Sequence, residues 1–186
     1  MSFPTQQQGV YTAADTTQSL CVGRTAVWRQ ERLSMMLSRQ QFDSLGMRLR
    51  SDSTYRSEEG DLHYLQLIDK DSVRDSWAWR DTIFSLTGTK AGLLRRFQGR
   101  YYLNTPNEPA ESWHVQRLKI EGRQLVWQRL GQDTLRLRAL SAAAVLRRQE
   151  QGVPPFQLKP DAGQQSRQVS HFDGLWKTLA EFTRRR

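Results

Sequence analysis

Short runs of alternating apolar and polar residues, separated by turn-forming residues, dominate the middle of the chain, and their spacing of roughly ten to fifteen residues predicts an antiparallel β protein. Leu62 to Ile68 is the first run, closed by an Asp69-Lys70-Asp71 turn. Val73 to Leu86 follows, with Trp77 and Trp79 on one face, Phe84 and Leu86 further along, and a bulge expected near Asp81. Gly88 and Gly92 bracket a turn, and Leu94 to Leu103 reads as one strand with Phe97, Gly99, Tyr101 and Leu103 on one face. The loop Asn104 to Ser112 leads to Trp113 to Ile120, Glu121-Gly122 marks a hairpin, and Gln124 to Leu130 returns. Gly131-Gln132-Asp133 turns into Leu135-Arg136-Leu137-Arg138, the plainest alternation in the sequence.

The flanks are less periodic. Residues 1 to 25 are polar at their start and carry no repeating pattern, which predicts a mobile arm ahead of a single β-rich domain over 26–186. Between Ala26 and Leu49 two periods compete. Leu33, Met36 and Leu37 fit a helical stripe, and Ser38-Arg39-Gln40-Gln41 has the form of a capping box ahead of Phe42. Ser141 to Ala144 favours a short helix ended at Gly152. Near the C-terminus a helix is expected within 161–184. Phe172, Leu175, Trp176, Leu179 and Phe182 make a helical stripe, or Asp161 caps a helix that Gly174 ends, with Leu175 to Thr183 as a last strand. The fold class is therefore mainly β with minor α, an antiparallel meander forming a barrel-like sheet or a sandwich, with one helix near the C-terminus.

Composition sharpens this picture in one respect. The chain has 186 residues and a formal net charge of +9, but residues 1–60 hold seven basic and six acidic side chains and residues 61–112 seven of each. Fourteen basic and six acidic groups lie in residues 113–186, so the excess sits there, partly in Arg184, Arg185 and Arg186. With only five lysines among 28 basic residues, the charge is carried by arginine. Arg95, Arg96, Arg117, Arg136, Arg138, Arg147 and Arg148 are the candidate binding surface, and with Tyr101, Tyr102, Trp113 and Trp127 between them they suit single-stranded nucleic acid. Adjacent arginines point to opposite faces of a strand, however, and an outward arginine row also keeps a sheet soluble.

Motifs for catalysis are lacking. His63, His114 and His171 have no neighbouring nucleophile signature, and a hydrogen-bonded structural histidine is the commoner occupant of a strand. Three isolated histidines and the single Cys21 supply no metal pattern and allow no intramolecular disulfide. No phosphate loop or dinucleotide fingerprint is present, so no cofactor is expected. Asp75 and Asp81 flank Trp77 and Trp79, which admits a carboxylate hydrolase with a saccharide-binding face, although aromatics in the core with aspartates at strand ends fit better. No apolar run has the roughly 18 to 20 residues of a membrane-spanning helix. Neither a basic n-region nor an apolar h-region opens the chain, and Gln18-Ser19-Leu20 ahead of Cys21 is not a lipidation signal, which gives a cytoplasmic expectation for the sequence as it stands.

The segments Asp81 to Gly88, Gly92 to Asn104, Trp113 to Leu118 and Leu125 to Trp127 resemble small uncharacterised proteins of Bacteroidota. In those, an F-x-G-x-Y-Y-L-N segment precedes a W-x-V-x-x-L strand, as Phe97 to Asn104 precedes Trp113 to Leu118 here. Many of them look like envelope lipoproteins with a lipidated N-terminal cysteine. The resemblance covers roughly residues 60–186. It implies a non-enzymatic binding or structural module associated with the bacterial envelope, and it brings no catalytic residues.

Overall fold

A computed structural model of the chain describes residues 1–44, 54–58, 60–107, 112–131, 145–147, 157–159, 167 and 169–185. Its strands are β1 (Gly9–Thr12), β2 (Gln18–Val22), β3 (Ala26–Ser38), β4 (Thr54–Arg56), β5 (Leu62–Leu67), β6 (Ser72–Ser85), β7 (Leu93–Phe97), β8 (Arg100–Asn107), β9 (Ser112–Glu121), β10 (Gln124–Leu130), β11 (Val145–Arg147), β12 (Gln157–Lys159) and β13 (Trp176–Arg184). Eleven of them pair in the order β4-β5-β6-β3-β2-β1-β13-β10-β9-β8-β7, with β4 and β7 as end strands, and β11 pairs with β12 alone. The fold is thus mainly β and antiparallel. The helical pieces among the described residues are short: 3-10 turns at Thr5–Gln7 and Asp173–Leu175, α1 (Arg39–Ser44), and helical residues at 167 and 169–171. The chain divides into two compact units, an N-terminal one (Phe3–Ile83 with Phe182–Arg186) and a C-terminal one (Phe84–Glu181 with Met1–Ser2).

In the N-terminal unit, the residues expected to form a mobile arm are instead structured. β1 pairs with β2 through Tyr11↔Leu20, and β2 pairs with β3 through Val22↔Val27, four side chains that are buried. The hairpin is turned at Ala13–Thr17 with Thr16 in the left-handed region (φ 61°), so the Asn-Gly or Asp-Gly signal of such turns is missing from the sequence. Arg184 fixes the entry to β1. Its guanidinium donates to the Gln6 and Gln8 carbonyls, each at 2.7 Å, and lies where a Cβ on Gly9 (φ 147°) would be. One of the three terminal arginines is therefore a structural group.

The helical stripe proposed for Leu33 to Leu37 is strand, since β3 runs to Ser38. The capping box that follows forms as written: Gln41 N–H donates to Ser38 Oγ at 3.2 Å and Ser38 N–H to Gln41 Oε1 at 2.9 Å. It starts α1, whose Phe42 is fully buried against Leu65 and Val73, with Leu37 and Tyr55 alongside. The Asp69–Asp71 turn is also present, tightened by Asp71 N–H donating to Asp69 Oδ1 at 2.8 Å.

In the C-terminal unit, the run Leu94 to Leu103 is two strands and not one. Gln98 (φ 48°) and Gly99 (φ 74°) form a two-residue hairpin in which both residues are left-handed, and Phe97 pairs with Arg100. β8 pairs with β9 as far as Asn107↔Ser112, beyond the expected loop start at Asn104. β9 and β10 meet at Glu121↔Gln124, so Gly122-Arg123 is the turn, one residue later than expected. One face of β7–β10 buries Leu94, Tyr101, Leu103, Leu118, Ile120, Leu125 and Trp127. The opposite face is covered as well, by Leu175, Trp176 and Val169 packed on Tyr102 and Val115. Of the two readings of the C-terminus, the strand ending prevails: Arg167 and Val169–His171 are helical, and Trp176–Arg184 is β13. Leu135-Arg136-Leu137-Arg138 and Ser141 to Ala144 lie outside the described residues.

Candidate functional site

Strand alternation places each candidate side chain, because the register fixes which residues share a face. Arg117 lies across from Tyr102 on β8 and Gln128 on β10. It is 2% exposed and internally bonded: Nε donates to Gln128 Oε1 at 2.6 Å, Nη1 to the Ser170 carbonyl at 3.1 Å and Nη2 to Asp173 Oδ1 at 2.8 Å, with the guanidinium 4.4 Å from the Trp176 ring. Arg100 adds a bond to the Ser170 carbonyl at 3.0 Å. Burial pulls the Arg117 pKa below its ordinary value, and the Asp173 hydrogen bond opposes this. The same bond is the first cause holding the Asp173 carboxyl below the usual range. Arg117 is therefore a rivet for the segment 169–176 and no part of an exposed binding surface. Arg95 and Arg96 are exposed on the end strand β7 and point to opposite faces, Arg96 lying 5.6 Å from the Tyr101 ring. Arg147 is in β11 with its side chain outside the described set, as are Arg136, Arg138 and Arg148.

The histidines in strands are held by internal bonds. His63 on β5 stands between its register partners Tyr55 and Trp77, with ring centroids 4.6 and 5.0 Å away. Its Nδ1 is 2.9 Å from both carboxylate oxygens of Asp75, and Tyr55 O–H donates to Asp75 Oδ2 at 2.8 Å. A carboxylate only accepts, so the His63 proton sits on Nδ1. Desolvation first, then the Asp75 bond and charge, push the Tyr55 pKa up to about 12, so the phenol stays a donor. This cross-brace ties the three-residue end strand β4 to β6 over β5. His114 accepts from Gln116 Nε2 at 3.1 Å, while Gln116 Oε1 accepts from Trp127 Nε1 at 3.1 Å. Burial and then Arg129 lower the His114 pKa, which suits the neutral acceptor. Cys21 is buried, and burial pushes its thiol pKa up.

Asp75 and Asp81 belong to separate networks. Asp75 is 2% exposed within the cross-brace, whereas Asp81 lies 3.6 Å from Arg29. Trp77 is half-buried and Trp79 is 38% exposed. Two Trp-Arg dipeptides, Trp28-Arg29 on β3 and Trp79-Arg80 on β6, interlock across this junction. Arg29 stacks over Trp79 at 5.3 Å on one face and Arg80 over Trp28 at 5.1 Å on the other. They join the only neighbours of the β1–β6 set that are not consecutive in sequence.

These stacks also fix the sides of β3 and β6, and with the β4–β6 registers they sort every charge of the four strands. Even-numbered residues of β3 to β5, and of β6 as far as Arg80, make the outer face, with Arg32 on β3, Arg56 on β4, and Arg74 and Arg80 on β6 all exposed, whereas Phe84 near the end of β6 is buried. Between them stand Met36, Leu62 and Tyr64, the last 55% exposed, and no carboxylate shares this face of the four strands. Glu31, Asp75 and Asp81 are all odd-numbered and lie on the opposite face. Counting charge by segment missed this set, because basic and acidic residues of a strand cancel in the sum while parity separates them. No protein-family model, curated protein or solved structure matches the chain.

Proposed function

We propose that this chain is a non-enzymatic binding module that docks a partner on the outer face of strands β3–β6. The observation that carries the reading is the sorting of Arg32, Arg56, Arg74 and Arg80, with the exposed Met36, Leu62 and Tyr64, onto one face where none of the described strand residues is a carboxylate. A one-sign basic face with exposed apolar side chains is attractive to an acidic partner and costly to leave in water. Further support comes from the chemistry-bearing side chains, since His63, His114, Asp75 and Arg117 spend hydrogen bonds on one another and on their neighbours. The envelope association implied by the resemblance is a separate proposal, which membrane fractionation of native cells decides.

Differential centrifugation of expressing cells tests the docking face. The intact chain is expected in a macromolecule-bound fraction from which salt releases it, and a variant carrying Arg32→Gln, Arg56→Gln and Arg74→Gln is expected free. Identical partition of the two proteins would overturn the reading. So would hydrolysis of a nitrophenyl ester or glycoside that His63→Gln abolishes.

A further inference from the structure

We infer that the partner of the β3–β6 outer face is an anionic lipid surface. The inference rests on the docking-face reading and adds the chemistry of the partner. Four arginines at alternating positions project from three strands, Arg32, Arg56, Arg74 and Arg80, and all are exposed. Arg56 spends one N–H on the Gly60 carbonyl at 3.0 Å and Arg80 rests on Trp28, while Arg32 and Arg74 make no ion pair among the described residues. The described carboxylates nearby, Glu58, Asp61, Asp69 and Asp71, sit in the turns that bound β5, so these four lie at the strand ends, and the strand residues in the middle of the face are basic or uncharged.

Apolar groups on the same face separate lipid from nucleic acid. Leu62 is paired with Arg56, and Tyr64 stands between Thr54 and Ser76, so an aliphatic and an amphipathic aromatic side chain alternate with the guanidinium groups. Met36 on β3 is 53% exposed, and Ile68, the residue that follows β5, is exposed too. Aliphatic side chains gain by entering the boundary between headgroups and acyl chains, where tyrosine is also favoured, and arginine stems lie along that boundary with their charges at the phosphates. A nucleic-acid strand offers stacking to aromatic rings and nothing comparable to leucine, isoleucine or methionine. Each arginine near an anionic membrane surface is worth enough to change partitioning about fivefold.

Co-sedimentation of the purified full chain measures this with three probes: vesicles of phosphatidylglycerol mixed with phosphatidylcholine, vesicles of phosphatidylcholine alone, and a labelled single-stranded oligonucleotide. The expected result is binding to the mixed vesicles only. Binding is expected to weaken with salt, about fivefold for each of Arg32→Gln and Arg74→Gln, and further for Leu62→Ser with Tyr64→Ser. All these side chains are exposed, and unchanged urea midpoints would show that the variants fold. Equal binding to neutral vesicles, preference for the oligonucleotide, or no binding to any probe would each overturn the lipid inference, and the docking face would then stand or fall on the cell fractionation. Vesicle binding that the arginine and the Leu62/Tyr64 variants leave unchanged would overturn the docking face as well.

Discussion

Strands β4–β6 and strands β8–β10 are built from the same kind of sequence, yet their outward-alternating arginines have opposite fates. Arg74 on β6 is exposed, whereas Arg117 on β9 is the largest fully buried side chain of the described structure. The difference is the cover. On β4–β6 helix α1 covers one face only, with Phe42 on Leu65 and Val73. On β8–β10 the segment 169–176, more than 50 positions along the chain, lies over the second face and supplies Arg117 with a carbonyl, a carboxylate and an aromatic ring. An arginine in a strand thus reads as surface only until something folds over it, and the covering residues need not be its sequence neighbours.

The sharpest break of this comparison is to truncate both arginines. Arg117→Ala loses three charge-assisted hydrogen bonds and a stacked guanidinium, and is expected to cost about 3 kcal/mol. Arg74→Ala is expected to stay within about 0.5 kcal/mol, and urea unfolding of the two variants side by side reads the contrast. Equal costs would mean that the cover over β8–β10 contributes little.

Next in size is Tyr55→Phe, which removes a donor from the buried Asp75 carboxylate and is expected to cost about 1.5 to 2 kcal/mol. The raised Tyr55 pKa sets its pH dependence. Below pH 10, the ordinary tyrosine value, the contribution is complete, and it fades as pH rises through about 12. Ultraviolet titration of phenolate should accordingly lose one late-titrating tyrosine in the variant, and loss of an ordinary tyrosine near pH 10 would show that the cross-brace does not form.

The smallest effect concerns Asp173, whose side chain is largely exposed. Its lowered pKa means that its contribution is present above the ordinary carboxylate range and is lost as pH falls through the folded value. Asp173→Asn should therefore lower neutral stability slightly toward the acid value and so flatten the acid limb of the stability–pH curve, with stability in acid little changed, as read from thermal midpoints between acid and neutral pH. An unaltered acid limb would place the cover's grip on Arg117 elsewhere, on the Ser170 carbonyl.

Local signals were legible where the usual residue types for a cap or turn stand a few positions apart. Ser38 and Gln41 cap α1 as their spacing predicts, and Asp69 turns the chain into β6. Illegible signals had two causes. Thr16 and Gln98 occupy left-handed positions normally given to glycine or asparagine, so the hairpin at Ala13–Thr17 carried no turn signature and the strands around Gln98-Gly99 read as one. β3 was ambiguous because Leu33, Met36 and Leu37 satisfy a helical period, while Met35 and Met36, on opposite faces of the strand, are both exposed, so burial does not alternate there. With β3 undecided, the parity that separates Arg32 from Glu31 had no meaning, and the basic outer face could not be drawn.

By itself the sequence determined the antiparallel β class, the helix cap at Ser38–Gln41 and the Asp69–Asp71 turn, because alternation, capping and turn chemistry act over a few residues. It also determined that residues 1–112 are nearly neutral in sum. Only the tertiary structure decided what that neutrality is made of. Pairing β3 with β6 through the interlocked Trp28-Arg29 and Trp79-Arg80 dipeptides gathers four arginines on one face and the carboxylates of these strands on the other. Which strands become neighbours depends on long-range pairing, and a sheet sorts charge by face while a sequence sum does not.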